Sequence, residues 1–337
     1  MTRAGVATPV ERPERHPSSV VALAGGVGAA RFLRGLIRVL PASDVTVVVN
    51  TGDDRCFYGA HVSPDLDIVT YTLSGHVDPE RGYGLRGDSF ALVDALGALG
   101  HETWFRLGDR DFATCQHRSL RLREGAGLAE ITDELRRAFG VESPILPMSD
   151  DPCPTFVELK DGTRAHFEEY LVRDGSPDDV ASVDLSAAQR AEPGPGVLEA
   201  IRGARTLLLC PSNPVVSIGP IRAVRGVEAE LERRADAVAV SPIVGGRPVK
   251  GPADRLLRAQ GTEVSARGVA GLYAGIASGM VIDEADAQQT GDIESLGLRV
   301  RALDTLMTNP TIARGVAEAA LSLSAAPSRS GRTGERA

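Results

Sequence analysis

An α/β fold on a mostly parallel, doubly wound sheet, with a helical and β insertion in the middle, is what this sequence predicts. Three observations carry the prediction. Val20–Ala24 is a short apolar run followed at once by Gly25-Gly26-Val27-Gly28, and Ala29 to Leu40 is then apolar at helical spacing. A second apolar run, Val45–Val49, ends in Asn50-Thr51-Gly52-Asp53-Asp54. Far downstream, Thr206–Cys210 and Ala237–Val240 repeat the pattern of a buried strand that ends in polar turn residues. A β-α-β unit that opens a chain is the usual start of a Rossmann-like parallel sheet.

The elements follow in order. Pro64 to Leu73 and Ser89 to Leu99 have helical periodicity, the second stopped by Gly100. Gly127–Phe139 is an amphipathic helix with Gly140 as its stop signal. From Pro144 the texture changes: Thr155–Leu159 and Arg164–Phe167 flank Asp161-Gly162, a hairpin signal. Asp174 to Gly196, rich in Asp, Ser, Pro and Gly, predicts connecting loop. After the strands at 206–210 and 237–240, Met280–Ile282 and Leu298–Arg301 are weaker strand candidates, and Thr311–Leu323 is a closing helix. The expected organisation is one α/β domain over 20–323 with an insertion at about 144–196, preceded by a disordered extension (1–19) and followed by a disordered tail (324–337).

Composition narrows the function. The net charge of −8 lacks the basic stripe that a nucleic-acid binder needs. No stretch approaches the roughly 18 apolar residues that span a bilayer, and the first 19 residues lack the apolar core of a signal peptide. Cys56, Cys115, Cys153 and Cys210 are widely spaced with no Cys-x-x-Cys pair, which predicts reduced thiols in a cytoplasmic protein.

Five polar groups are candidates for chemistry. The loop Gly25-Gly26-Val27-Gly28 stands where an open α/β sheet binds its ligand, and its glycines let a phosphate approach a helix N-terminus. It lacks the Gly-Lys-Ser/Thr of a Walker loop, so a tight packing turn is the bland alternative. Asp53, Asp54, Asp65 and Asp67 crowd four carboxylates into fifteen residues. Such a cluster repels itself unless a cation or solvent neutralises it, so a magnesium site is one reason for it; a carboxylate that orients or deprotonates a hydroxyl is another, and a helix cap at Asp65 is a third. Arg106-Leu107-Gly108-Asp109-Arg110-Asp111, with His117 beyond it, predicts either a ligand-lining turn or an ion-pair knot. Ser212 and Asn213, in the rigid Pro211-Ser212-Asn213-Pro214 turn, offer a hydroxyl and an amide for phosphate or base recognition. Thr308 and Asn309 are most simply caps of the final helix.

These segments resemble the 2-phospho-L-lactate transferase family of coenzyme F-420 biosynthesis, called phosphoenolpyruvate transferase in actinobacteria. The resemblance rests on A-G-G-V-G-A-A-R-F-L (24–33), V-V-V-N-T-G-D-D (47–54), S-P-D-L-D (63–67) and L-G-D-R-D-x-A-T (107–114). It continues through I-L-P-M-S-D-D-P (145–152), P-S-N-P-V-V-S-I-G-P-I (211–221), S-P-I-V-G (241–245) and D-T-L-M-T (304–308). It implies a magnesium-dependent homodimer that moves a phosphorylated three-carbon acid from a guanosine diphosphate-linked donor to the terminal ribityl hydroxyl of the deazaflavin Fo, releasing GMP. The glycine loop (Gly25, Gly26, Gly28) with Ser212 and Asn213 would hold the nucleotide, and Asp53, Asp54 and Asp65 are the metal candidates. Asp67 and Arg106 align with Fo-contacting positions, and Asp67 is the group expected nearest the attacking hydroxyl, as base or in the metal site. An Arg- and Ala-rich composition points to an actinobacterial host, for which the family implies the enolpyruvyl donor. The alternative is a related group of nucleotide-sugar-binding regulators without transfer chemistry. Its second loop has the form D-D-G-G-S-S-G-R, whereas this chain has Asp53-Asp54-Arg55-Cys56-Phe57-Tyr58-Gly59.

Overall fold

The computed structural model describes residues 19–325, so the expected extension and tail lie outside the described residues except for Ser19 and residues 324 and 325. The chain opens with β1 (Val20–Ala24), α1 (Gly26–Leu36) and β2 (Val45–Val49). A hairpin of β3 (Arg55–Phe57) and β4 (Ala60–Val62) leads into α2 (Pro64–Leu73), α3 (Ala91–Ala98), α4 (Asp109–Arg123) and α5 (Leu128–Ala138). Next come β5 (Ile145–Pro147) and an antiparallel trio, β6 (Phe156–Leu159), β7 (Arg164–His166) and β8 (Val180–Asp184). The second half supplies β9 (Thr206–Leu209), β10 (Ala237–Val240), a small hairpin β11 (Ile243–Val244) and β12 (Arg247–Pro248), β13 (Ala277–Asp283), β14 (Arg299–Leu303) and a closing helix, Pro310–Ala325.

Seven strands form one sheet in the order β14-β13-β10-β9-β1-β2-β5, with every neighbouring pair parallel. Alternation along each strand explains why helices must cover both faces. Val21, Leu23, Leu207, Leu209, Ala239 and Met280 point into one core; Val20, Ala22, Val47, Leu208, Val238 and Val281 point into the other. α1, α2 and the closing helix fill the second core. The strand order reverses beside β1, because β2 lies on one side and β9 on the other. Loops at the carboxyl ends of β1 and β9 therefore part and leave a crevice.

Several boundaries differ from expectation. Helix α1 starts at Gly26, since a positive φ of 74° at that glycine turns the extended chain directly into the helix. The stretch expected to be loop, 174–196, contains β8 and a short helix, Ser186–Arg190, because β6 needs a second antiparallel partner. Ile145–Pro147, placed within the expected insertion, is an edge strand of the main sheet, paired with β2. The weak candidates near 280 and 300 are full strands. Among the described residues no helix is long and apolar enough to cross a membrane.

Candidate active site

The crevice beside β1 is a cleft of about 580 Å³, within the range of small-molecule sites. Gly25, Gly26 and Gly28 line it from the end of β1, Ser212 and Asn213 from the end of β9, and Ser241 from the end of β10. The predicted glycine loop and proline turn thus share one cavity.

Hydrogen bonds tie these loops together. The Gly25 N–H donates to Ser212 Oγ at 3.1 Å, and the Gly26 N–H donates to Asp65 Oδ1 at 2.7 Å. Two of the amides expected to grip phosphate are therefore engaged by side chains. The next amides of α1, at Val27 and Gly28, belong to a first helical turn, which has no intrahelical acceptors and favours an anion. Gly28 itself is required for packing: a Cβ there would lie 2.4 Å from the Pro211 carbonyl oxygen. Asn213 Oδ1 accepts the Val215 N–H at 2.9 Å and that of Val216 at 3.4 Å, which fixes the turn and leaves its Nδ2 for a ligand. Arg31 and Lys250 also line the cleft, and neither has an acidic partner among the described residues.

Opposite charge enters the same cavity through Asp53, Asp65 and Glu168. Asn50, fully buried at the end of β2, organises them. Its Oδ1 accepts the Gly52 N–H at 2.8 Å and its Nδ2 donates to Asp65 Oδ2 at 2.9 Å. Burial pushes the Asp65 carboxyl up to about 6, against the hydrogen bonds from Asn50 and Gly26. Burial, then the charges of Asp65 and Glu168, push Asp53 well above the carboxylate range. Glu168 rises to about 8, from burial first and Asp65 second. Asp53 Oδ1 is buried without a hydrogen-bond partner.

These features fit the implied magnesium. Asp53 brings a buried, orphaned carboxylate oxygen to the cleft beside the Asp65 carboxylate, and carboxylate oxygens are the donors that a hard divalent cation takes. Asp53 and Asp65 are the residues that would hold it. Asp54 does not line the cleft. Its Oδ2 accepts from Ser63 Oγ at 2.7 Å and lies 3.0 Å from His61 Nε2, so it braces the β3–β4 hairpin. Its Oδ1 is buried without a hydrogen-bond partner.

Asp67 stands outside the cleft lining. Asp65 and Asp67 stand two positions apart on α2, and such residues face different sides of a helix. While Asp65 reaches the glycine loop, Asp67 is clamped by the fully buried Arg118 of α4. Arg118 Nη2 donates to Oδ1 and Nη1 to Oδ2, the latter at 3.2 Å. Both Asp67 oxygens thus accept from the Arg118 guanidinium. Arg106 lies elsewhere again, bonded to Asp94 at 2.7 Å and stacked on Phe90 at 4.8 Å in a small depression shared with Tyr83. That depression adjoins the cleft, since Lys250 Nζ of the cleft sits 5.4 Å from the Tyr83 ring centroid.

The Asp109-Arg110-Asp111 cluster resolves into reciprocal caps. Asp109 accepts the Ala91 and Leu92 N–H groups at the start of α3, and Asp88 accepts those of Arg110 and Asp111 at the start of α4. His117 pairs with Glu134 on the surface and does not line the cleft. The residues missed by sequence reasoning are Glu168, Arg118, Lys250 and the hub Asn50. Asn50 and Arg31 stood inside segments already singled out, but Glu168 follows a hairpin with no motif around it.

The fold and the cleft define a Rossmann-like α/β protein with a pocket lined by residues of both charges at its switch point. Sequence comparison narrows this class. The profile of 2-phospho-L-lactate transferase CofD matches residues 20–305, and the chain belongs to that family. It is 44% identical to the phosphoenolpyruvate transferase of Kitasatospora aureofaciens, over 90% of this chain and 97% of that one. It is 40% identical to the 2-phospho-L-lactate transferase of Methanosarcina mazei, over 89% and 98%. A member of the upf0052 family from Bacillus halodurans shares the fold, with a TM-score of 0.58 at 18% identity, covering 90% of this chain and 98% of that one.

Proposed function

We propose that this chain is a magnesium-dependent transferase of coenzyme F-420 biosynthesis. It moves a phosphoenolpyruvyl or 2-phospho-L-lactyl group from a guanosine diphosphate-linked donor to the terminal ribityl hydroxyl of Fo, and GMP leaves. The observation that carries this reading is the meeting, in one switch-point cleft, of a helix N-terminus, unpaired Arg31 and Lys250, and the buried acids Asp53 and Asp65. A phosphate anhydride and its counter-ion need both signs of charge at once.

Transfer of a substituted phosphoryl group depends on in-line positioning and charge stabilisation more than on covalent help. The first turn of α1, with Asn213 Nδ2, would hold the donor's phosphates. Arg31 and Lys250 would neutralise charge spreading over the transferred group. Magnesium, held by Asp53 and Asp65, would supply electrostatic stabilisation of the departing GMP oxygens. The depression of Tyr83, Phe90 and Arg106, adjoining the cleft, is the place proposed for the planar ring of Fo. Asp67 acts at one remove, by fixing α2 through Arg118 so that Asp65 meets the glycine loop. A homodimer belongs to the same proposal, and so does the enolpyruvyl donor, the substrate named for the 44% identical relative.

The deciding experiment incubates the protein with Fo, magnesium and each candidate donor and weighs the product. A phosphodiester with the mass of Fo plus one phospho-acid, with GMP released, is expected. Absence of product from every donor, with preferential binding of a uridine diphosphate sugar over GDP, would replace this reading with the regulator.

A further inference from the structure

Glu168 is an unusual group for a position that no motif marks. It is 5% exposed, it lines the cleft, and no hydrogen bond or ion pair among the described residues engages its carboxylate. Its backbone is pinned, because the Glu168 N–H donates to His166 Nδ1 at 3.2 Å. The next residues, Glu169–Arg173, form a single π-helical turn, a conformation that recurs at functional sites. Phe167 and Leu171, on either side of it, add apolar surface to the same wall.

From this position, resting on the transfer reading above, we infer that Glu168 is the general base that takes the proton from the attacking acceptor hydroxyl. The hydroxyl O–H bond breaks toward the Glu168 carboxylate as the oxygen bonds to the donor's outer phosphorus. The bond from that phosphorus to the nucleotide oxygen breaks, and the nucleoside monophosphate leaves with the electron pair. Glu168 and Asp65 occupy contrasting surroundings, as a proton acceptor and a cation ligand require. Asp65 accepts hydrogen bonds from Asn50 and Gly26, which favour its charged form. The Glu168 carboxylate has none among the described residues and stays free to accept a proton. Burial first, then the charges of Asp65 and Asp54, raise its affinity for a proton, and Arg55 lowers it; Glu168 in turn raises that of Asp53. Arg55 is itself tied to Glu169 at 2.7 Å.

The test compares steady-state transfer by the parent, Glu168→Gln and Glu168→Asp across pH, with GDP–magnesium binding and melting temperature as controls for folding. The Gln variant should lose about 100-fold or more in kcat. Its donor KM and the magnesium concentration for half-activation should stay within threefold of the parent. The Asp variant should retain turnover above the Gln variant, and the acidic limb of the parent's kcat–pH profile should be absent from the Gln variant. Parental kcat in Glu168→Gln overturns the assignment, as does rescue of its rate by raised magnesium, which would make the residue a metal ligand. Equal losses in Gln and Asp variants of parental stability also overturn it. A parent that makes no product from any donor removes the transfer reading instead.

Discussion

Two buried acidic regions flank α2, and they are built on opposite terms. On the Asp67 side the carboxylate is matched by Arg118, which also donates to the His61 carbonyl at 3.1 Å; Tyr71 bonds Asp111 at 2.8 Å. Asp67, Asp111 and Cys115 crowd close enough to suggest a metal, yet the cation is already there as a guanidinium. On the Asp65 side Asp53, Asp65 and Glu168 share a cleft, and among the described residues no Lys, Arg or His side chain pairs with any of them. A buried charge that is matched holds the fold; one that is left unmatched marks where a ligand supplies the missing sign.

The sharpest way to break this comparison is to remove one charge from each side. Arg118→Met strands Asp67 in the interior and should cost about 3–5 kcal/mol in urea unfolding. Unchanged stability would show that the pair is not structural. Asp53→Asn should do the reverse, leaving metal-free stability equal or higher while transfer falls about 100-fold, or roughly 2.7 kcal/mol in barrier. Active Asp53→Asn protein would empty the cleft side of its proposed role.

Between these lies packing of the cleft wall. Gly28→Ala forces a methyl group against the Pro211 carbonyl and should cost about 1–3 kcal/mol with a raised donor KM. Parental stability in that variant would show that α1 and the proline turn can separate freely.

The smallest effect is on pH. Asp65 and Glu168 have folded pKa values raised to about 6 and about 8, so the native state keeps protons that the unfolded chain gives up near pH 4. Their favourable contribution is full below the unfolded values and is lost as pH rises through 6 and then 8. Metal-free protein should therefore melt a few degrees lower at pH 8.5 than at pH 5.5, and magnesium should narrow the gap. A wider gap with magnesium would contradict the cleft's acidic design.

Much of this was legible in the sequence. Val20–Ala24 and Val45–Val49 are too apolar to be anything but buried parallel strands, and the glycines after the first and the prolines around Ser212 placed both loops at one rim. What escaped depends on direction. Spacing put Asp65 and Asp67 in one cluster, but a helix turns residues two apart to different sides. The Asp109 cluster allowed either a ligand-lining turn or an ion-pair knot, because a cap that reaches a distant helix leaves no local signature. Glu168 lay beyond pattern altogether, since only the folding of β6 and β7 against the 50–54 loop brings it to the cleft.

The central claim is tested most directly by titrating GDP into the parent and into Asp53→Asn, with magnesium and with a chelator. Chelation should weaken parental binding at least about tenfold, a loss near 1.4 kcal/mol, and Asp53→Asn should bind weakly and indifferently to the metal. GDP affinity that is the same in all four titrations would contradict it.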